Sequence, residues 1–270
     1  MKKFSVSMPV YSGDNPEWVL SAVESIVNQT VKPDEVVIVV DGTVSFELDN
    51  LLCSFEKDPL FKIIRLDKNY GHGYARKIGV ENCSNDLIAL MDADDISLPY
   101  RFEKQLSLFE NDIDIVGGNI SEFIGEPDNT VGKRIVPKED AEIKDYLKKR
   151  CPMNQVTVMF KKASLEKAGG YIDWYCEEDY YLWLRMNLEG MKFANVPEVL
   201  VNVRIGEDMY RRRGGLKYFK SEARLQGYML KKGVIKFPRY VLNMAERLVL
   251  QVLMPNRLRG WVFKNFARSS

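Results

Sequence analysis

Residues 86–95 read Asp-Leu-Ile-Ala-Leu-Met-Asp-Ala-Asp-Asp, a short apolar run that ends in three carboxylates. A continuous apolar run of this length predicts a buried strand. Asp92, Asp94 and Asp95 follow the strand directly, and like charges this close together repel one another unless something neutralises them. A hard divalent cation with oxygen ligands would do so. A solvated acidic turn that caps the next helix is the alternative, and this segment alone favours neither.

The chain before this segment alternates between strand and helix patterns. Apolar runs at residues 4–10, 35–40 and 61–66 are typical of strands, and apolar residues at helical spacing lie between them. Asn15-Pro16 has the form of an N-cap followed by proline at the first helical position. The β-α-β-α-β-α-β order predicts an α/β fold with a doubly wound, mostly parallel central sheet flanked by helices. In such sheets ligands bind outside the carboxyl ends of the strands, where the acidic segment lies.

After residue 95 the pattern becomes a mixture of helices and short strands. It predicts helices over 100–110, 139–150, 164–168 and 177–188, and strands over 113–118, 155–160 and within 192–204. From Gly214 onward the chain is predicted to be helical. We therefore expect one domain over residues 1–206, built from the halves 1–95 and 96–206, and a basic helical extension over 207–270.

Composition excludes several classes of protein. Hydrophobic residues make up 46% of the 270 residues and charged residues 29%, which is ordinary for a soluble globular protein. The N-terminus enters a strand pattern without the apolar segment of a signal peptide, so we expect a cytoplasmic protein. Four scattered cysteines without a CxxC pair argue against a zinc site and against a disulfide framework. The single histidine, His72, excludes a histidine-rich metal site.

The net charge of +1 conceals an uneven distribution of charge. Residues 1–203 hold 23 Lys and Arg against 34 Asp and Glu, whereas residues 204–270 hold 16 against 4. A basic segment on an acidic body suggests an anionic partner: membrane phospholipid, a polyphosphate ligand or nucleic acid. Residues 247–268 place Trp and Phe among basic residues, a pattern that suits a membrane surface. A helix packed on the core with a solvated basic face is the alternative.

Two further motifs lie near the predicted carboxyl edge of the sheet. Asp41 ends the second strand and could accept hydrogen bonds from a nucleotide base or ribose, although Asp-Gly is also a common turn. Residues 69–76 form a glycine-containing loop that opens a helix. Its small residues let a ligand approach the backbone, and the helix N-terminus favours negative charge. Arg76, one turn into that helix, could pair with phosphate oxygens.

A second acidic cluster, Glu177-Glu178-Asp179, precedes a predicted helix. Acidic residues in a first turn complement the helix dipole, and that account is sufficient for Glu177 and Glu178. A carboxylate here could also act as the general base that takes a proton from an attacking hydroxyl. Asp179 is the candidate for this role.

Taken together, these pieces resemble family 2 glycosyltransferases with the GT-A fold. The resemblance covers about residues 3–200, and its matching segments are residues 6–11, 35–42, 69–76, 91–95 and 178–183. It implies that residues 1–95 bind the nucleotide and that residues 96–206 bind the acceptor. It also implies that the C-terminal extension lies outside the catalytic domain.

The resemblance assigns roles to individual residues. Asp94 would ligate Mn²⁺ or Mg²⁺ together with Asp92, which would also contact the ribose side of the nucleotide. Asp179 would be the base of a single displacement that inverts the anomeric carbon. The other residues implied in donor binding are Pro9, Tyr11, Asp41, Gly71, Arg76 and Ala93.

One departure from the family pattern concerns the segment after the last predicted strand. Many relatives carry a histidine there, whereas residues 203–215 have none, and we expect Arg212 and Arg213 to serve the diphosphate instead. The Arg-Arg-Gly-Gly form is similar to transferases of amylovoran and O-antigen biosynthesis. Residues 151–157 also match a segment near the acceptor in that group.

This likeness implies a set of partners. They are a UDP-hexose donor, a polyprenyl-diphosphate-linked saccharide acceptor and the anionic inner face of the plasma membrane, with no nucleic acid. A catalytically silent subunit that binds a sugar nucleotide is the alternative function. A nucleotidyltransferase would need a basic glycine-rich loop after the first strand, and residues 9–14 do not supply one.

Overall fold

The computed structural model describes residues 2–172, 174–206 and 214–255. The alternation predicted over residues 1–95 is confirmed. The strands are β1 (Phe4–Tyr11), β2 (Glu35–Asp41), β3 (Phe61–Arg65) and β4 (Leu87–Leu90), and the helices between them are α1 (Pro16–Val27), α2 (Phe46–Phe55) and α3 (His72–Asn82).

Helix α1 shows how the sequence sets these elements. The side chain of Asn15 accepts a hydrogen bond from the Glu17 amide at 2.8 Å, which satisfies one of the free donors at the helix start. Pro16 lacks an amide hydrogen and is tolerated at this position. Apolar residues at helical spacing then face the sheet, and the buried ones are Val19, Ala22, Val23 and Ile26.

The middle of the chain contributes the remaining strands. The elements are β5 (Ile96–Ser97), α4 (Arg101–Leu108), β6 (Ile115–Phe123), β7 (Thr130–Arg134), α5 (Asp140–Leu147), β8 (Met159–Lys161), α6 (Lys162–Lys167), α7 (Glu178–Leu188) and β9 (Phe193–Arg204). The strand predicted over residues 155–160 is wrong in its first half, where Gln155–Thr157 form a 3₁₀ turn. The Thr157 hydroxyl donates to the Asn154 carbonyl at 2.7 Å, and this bond stabilises a turn rather than a strand.

Within the described residues, the sheet has nine strands in the order β3-β2-β1-β4-β8-β6-β9-β5, with β7 paired to β6. Six of them run in one direction, and β5, β7 and β8 run opposite. Alternate residues of β2 belong to two different apolar clusters, Val36 and Ile38 on one face and Val37 and Val39 on the other. The sheet is therefore covered on both faces, as expected for parallel strands, and the predicted α/β class is confirmed.

The described part of the C-terminal extension is helical, as predicted. It contains α8 (Leu216–Lys231), α9 (Phe237–Arg247) and a π-helical segment, Leu248–Leu253. Leu225 and Met229 of α8 pack in the same cluster as Trp183 of α7, so this helix pair lies against the second half of the domain. No helix in the ranges described is both long and apolar enough to cross a bilayer. The domain boundary at residue 206 stays a prediction.

Candidate active site

A cavity of about 670 Å³ opens at the carboxyl ends of β1, β2 and β4. Parallel strands bring their ends to one edge of a sheet, so segments far apart in sequence meet there. Seven residues predicted for donor or metal binding line this cavity: Pro9, Tyr11, Asp41, Gly71, Asp92, Ala93 and Asp94. The predicted Arg212 and Arg213 lie outside the described residues.

Asp41 has a structural role that the sequence did not reveal. Its Oδ1 accepts a hydrogen bond from the Tyr70 amide at 2.7 Å, and its Oδ2 accepts one from the Gly71 amide at 2.9 Å. The side chain therefore holds the loop that opens α3. Both oxygens keep further lone pairs, so the predicted contact to a nucleotide remains chemically open and stays a prediction.

Arg76 lies one turn into α3, as predicted, but its side chain is not part of the cavity's lining. We expected it to reach phosphate oxygens, but its side chain is fully buried and does not line the cavity. Its guanidinium forms an ion pair with the Asp92 carboxylate and donates from Nε to His72 Nε2 at 3.0 Å. This ion pair fixes the position of the Asp92 carboxylate and offsets its negative charge. Such a pair is not visible in sequence, since 16 residues separate its members.

His72 lines the cavity above this pair. Burial, together with the adjacent Arg76 charge, lowers the pKa of the His72 imidazole to about 4. The ring is therefore neutral near pH 7 and accepts the Arg76 hydrogen bond at Nε2.

The cavity holds more carboxylates than cations. Asp14, Asp92 and Asp94 line it, and Asp95 is buried nearby, where its Oδ1 accepts a hydrogen bond from the Arg204 amide at 2.8 Å. Burial, and then the charges of Asp92 and Asp94, hold the pKa of Asp95 well above its usual range. Burial also raises the pKa of Asp14 to about 7; Asp94 and Asp92 add to this effect, and a hydrogen bond from the Tyr11 amide opposes it.

Sequence reasoning missed Asp14. The available signal was its position three residues after the end of β1, at the same edge of the sheet as the acidic segment. Asp14 accepts the Tyr11 amide at 2.8 Å, so the turn itself directs the carboxylate to this edge.

The donor chemistry of the cavity fits a hard divalent cation. Carboxylate oxygens are the preferred ligands of Mg²⁺ and Mn²⁺, and an excess of negative charge favours their binding. In the described ranges, no three or more His, Cys, Asp or Glu side chains converge as a ready metal site. A protein site of one or two carboxylates, completed by water and substrate phosphate, is usual for Mg²⁺. Asp94, with Asp92 beside it, matches that kind of site.

Arg204 joins the two halves of the domain at this cavity. Its guanidinium lies 4.4 Å from the centre of the Trp18 ring and 4.6 Å from that of Phe123, between the two aromatic faces. Its Nε donates to the Asp94 carbonyl at 3.2 Å. Arg204 therefore fixes the backbone beside a predicted metal ligand. Sequence reasoning missed this contact, because 110 residues separate the partners.

The second acidic cluster lies on the first turn of α7. Asp179 Oδ1 accepts a hydrogen bond from the Tyr180 amide at 2.6 Å, and the Cys151 thiol lies 3.8 Å from Oδ2. Burial, and then the Asp179 charge, raise the pKa of the Cys151 thiol, so this neighbour is a neutral donor. Asp179 is absent from the residues that line the cavity within the described ranges.

Glu178, the residue before Asp179, packs against α3. Its Cγ is 3.6 Å from the position that a Cβ would take at Gly73, in the first turn of α3. Burial raises the pKa of Glu178 to about 7, and the charges of both Asp179 and Asp92 add to this effect. The first turn of α7 therefore packs against the first turn of α3, the helix whose Arg76 is ion-paired with Asp92.

Glu177 connects this cluster to the C-terminal helices. Burial, followed by the charges of Glu222 and Asp179, raises the pKa of Glu177 well above its usual range. Glu222 of α8 is itself ion-paired with Arg247 of α9. Arg247 also donates to the Lys149 carbonyl at 3.1 Å, just beyond α5. The helix pair is thus bonded to the segment after α5, and the last residue of α5, Leu147, accepts the hydroxyl of Tyr180 in α7.

Among known proteins, a family model described as glycosyl transferase family 2 matches residues 5–168 of the chain. Over 268 residues the chain is 35% identical to the UDP-Gal:alpha-D-GlcNAc-diphosphoundecaprenol beta-1,3-galactosyltransferase of Escherichia coli, covering 98% of this chain and 97% of that protein. Over 263 residues it is 36% identical to the amylovoran biosynthesis glycosyltransferase AmsE of Erwinia amylovora, covering 97% of this chain and 98% of that protein.

Among solved structures, the chain superposes on the mannosyltransferase PcManGT from Pyrobaculum calidifontis, solved in complex with GDP-Man and Mn²⁺, with a TM-score of 0.64. The superposition covers 95% of this chain and 71% of that one at 14% sequence identity. At this identity the likeness concerns the fold.

Proposed function

The chain belongs to glycosyl transferase family 2 and has the GT-A fold, and from this premise we propose that it moves a hexose from a UDP-sugar to a lipid-linked saccharide with inversion at the anomeric carbon. The predicted resemblance to family 2 and to the amylovoran and O-antigen group is thereby confirmed, since an O-antigen biosynthesis glycosyltransferase of Escherichia coli is 31% identical over 250 residues. The observation that carries the proposal is the meeting of seven predicted donor and metal residues around one cavity at the carboxyl ends of the strands. We place the reaction in surface polysaccharide synthesis, because the amylovoran relative is named for such a pathway.

The cavity at the strand ends is the proposed donor site. Pro9, Tyr11 and Asp41 line its wall, together with the small residues Gly71 and Ala93. An aromatic ring and a carboxylate suit a nucleoside, which has a planar base and hydroxyl donors. The name of the Escherichia coli relative includes UDP-Gal, which supports a UDP-hexose as the donor.

Asp94 and Asp92 are the proposed ligands of Mn²⁺ or Mg²⁺. A cation bound there would supply positive charge to the diphosphate leaving group. Two arginines position these residues: Arg76 forms an ion pair with the Asp92 carboxylate, and Arg204 donates a hydrogen bond to the Asp94 carbonyl. The Mn²⁺ in the superposed mannosyltransferase supports the use of a divalent cation.

Asp179 is the proposed general base. It would accept the proton of the acceptor hydroxyl as that oxygen attacks the anomeric carbon, while the bond to the diphosphate breaks on the opposite face. The Tyr180 amide orients one of its oxygens at 2.6 Å. Glu178, whose pKa is raised to about 7, is the neighbouring carboxylate from which this role has to be distinguished.

The proposed acceptor determines where the protein works. The Escherichia coli relative is named for an acceptor on diphosphoundecaprenol, which supports a polyprenyl-diphosphate-linked saccharide here. Such a lipid resides in a membrane, so we propose that the enzyme is cytoplasmic and contacts the anionic inner leaflet peripherally. Nucleic acid has no part in this proposal.

A donor screen tests the proposed function. Transfer to a lipid-diphosphate-linked GlcNAc is measured with UDP-galactose, UDP-glucose and their N-acetyl forms, in Mn²⁺, in Mg²⁺ or in EDTA. We expect turnover of at least one donor with a divalent cation and its loss in EDTA and in Asp94→Asn. Asp128→Asn, at an exposed carboxylate in the β6–β7 turn, is the matched control. UDP binding without turnover of any donor would instead support the catalytically silent alternative.

A further inference from the structure

Helix α9 and the π-helical segment after it have their polar side inward. The side chains of Asn243, Arg247 and Gln251, spaced one turn apart, are each less than a tenth exposed. Large apolar side chains on the other side are between 41% and 66% exposed, and they are Phe237, Val241, Leu242, Leu248, Val249 and Leu253. A helix on a protein that only faces water shows the opposite arrangement. We call these six residues the apolar face.

Polar bonds fix the orientation of this helix. The Asn243 amide donates to the Lys148 carbonyl at 2.9 Å and to Gln226 Oε1 at 2.7 Å. Arg247 is ion-paired with Glu222 and donates to the Lys149 carbonyl. Rotating α9 to hide its apolar face would leave Glu222 buried without a cation, which is costly. The apolar face is therefore held outward by the protein's own interior.

Arg247 is not part of the basic surface that the sequence predicted for residues 247–268. Arg247 was expected among the basic residues that face a membrane, but it is buried and serves Glu222. The exposed cations that precede the apolar face in sequence are instead Lys231, Lys232 and Lys236, between the end of α8 and the beginning of α9. Apolar residues next to exposed cations are typical of helices that lie in a bilayer interface.

We propose that the apolar face docks on an anionic lipid bilayer and sets the active site at a fixed height above it. Residues 214–255 hold 8 Lys and Arg against 2 Asp and Glu, and without the buried Arg247–Glu222 pair the remaining excess of positive charge complements anionic headgroups. A second copy on the same face would bring like charges together. The inference rests on the proposed function, because a lipid-linked acceptor gives docking its purpose.

The hydrogen bonds that hold α9 also connect this helix to the active site. Asn243 and Arg247 hold the carbonyls of Lys148 and Lys149, just after α5. The neighbouring Leu147 carbonyl accepts the hydroxyl of Tyr180, the residue after Asp179. A docked α9 and the candidate base therefore share one short network.

Vesicle binding of the full chain tests the proposal. Sedimentation is measured with vesicles of phosphatidylcholine and phosphatidylglycerol and with phosphatidylcholine alone. The test variant is Val241→Glu/Leu248→Glu, and the matched control is Phe46→Glu, which changes an apolar side chain on α2 that is 76% exposed. We expect the test variant to bind anionic vesicles about tenfold or more weakly, since charge on the apolar face opposes insertion, and the control to bind as the wild type does.

Transfer to two acceptors separates this proposal from the proposed function. The test variant should keep the wild-type rate on a water-soluble short-chain acceptor and lose rate on the same saccharide embedded in vesicles. Wild-type vesicle binding by the test variant would overturn the docking proposal. The proposal would also be overturned if light scattering showed a dimeric wild type and a monomeric test variant while both bound vesicles equally. A second copy of the chain would then cover the apolar face. Absence of transfer to either acceptor by the wild type would refute the proposed function, whatever the vesicles show.

Discussion

The carboxylate of Asp14 should make the folded protein less stable as pH rises, and its removal should reverse this. Burial and the charges of Asp94 and Asp92 raise the pKa of Asp14 from 3.8 to about 7. The folded state therefore keeps its proton over a pH range in which the unfolded chain releases it. The resulting stability is fully present below the unfolded pKa and is lost as pH rises through the folded one. Asp14→Asn cannot ionise, and its amide oxygen can still accept the Tyr11 amide.

The size of the effect follows from the two pKa values. A tenfold difference in proton affinity is worth about 1.4 kcal/mol, so a rise from 3.8 to about 7 sets an upper limit of roughly 4 kcal/mol. Asp14 is partly exposed, and screening by water reduces this value. We expect Asp14→Asn to raise the free energy of unfolding by about 1–2 kcal/mol near pH 8 and by clearly less near pH 5.

Urea unfolding in EDTA measures this effect, because chelation keeps cations out of the carboxylate group. Asp128→Asn, at an exposed carboxylate, is the control and should unfold as the wild type does at both pH values. Equal free energies of unfolding for wild type and Asp14→Asn near pH 8 would refute the claim that the excess of carboxylates in this cavity destabilises the fold. A gain that is larger near pH 5 than near pH 8 would refute it as well.

Three further predictions concern the contacts around the site. Arg247→Met should lower the free energy of unfolding by about 3–5 kcal/mol, because it leaves the buried Glu222 unpaired, and the double variant with Glu222→Gln should recover part of the loss in urea titrations. Arg204→Met should raise the dissociation constant of UDP roughly tenfold in calorimetry, which is the scale of one lost charge-assisted hydrogen bond. An unchanged dissociation constant would contradict the role of Arg204 in holding the Asp94 backbone. Gly42→Ala should cost about 1–3 kcal/mol in thermal unfolding, because φ is +85° and the new Cβ would lie 2.7 Å from the Asn69 amide nitrogen; wild-type stability would contradict this.

Local patterns in the sequence predicted much of the fold. The cap at Asn15, the β-branched run of β2 and the acidic segment after β4 each depend on neighbours within a few residues, and all lie where they were predicted. Their order then determined the parallel half of the sheet, because βαβ units have one common handedness. Seven of the predicted ligand residues share one cavity for the same reason.

Contacts between distant residues were not predictable in this way. The pairing of Arg76 with Asp92 and the stacking of Arg204 on Trp18 depend on which side chains meet after folding. Residues 155–160 alternate like a strand, yet the Thr157 hydroxyl stabilises a turn. The apolar periodicity of α9 is visible in the sequence, but periodicity alone does not tell which face is buried.

The most direct measurement is the transfer rate of Asp179→Asn, alongside its affinity for UDP in the presence of the divalent cation. A general base contributes about 10²–10⁴-fold to a rate, so we expect kcat to fall by that factor while the dissociation constant of UDP stays unchanged. Glu178→Gln, one residue away, should retain most of the rate. A full transfer rate in Asp179→Asn, or a loss confined to Glu178→Gln, would contradict the assignment of Asp179 as the base.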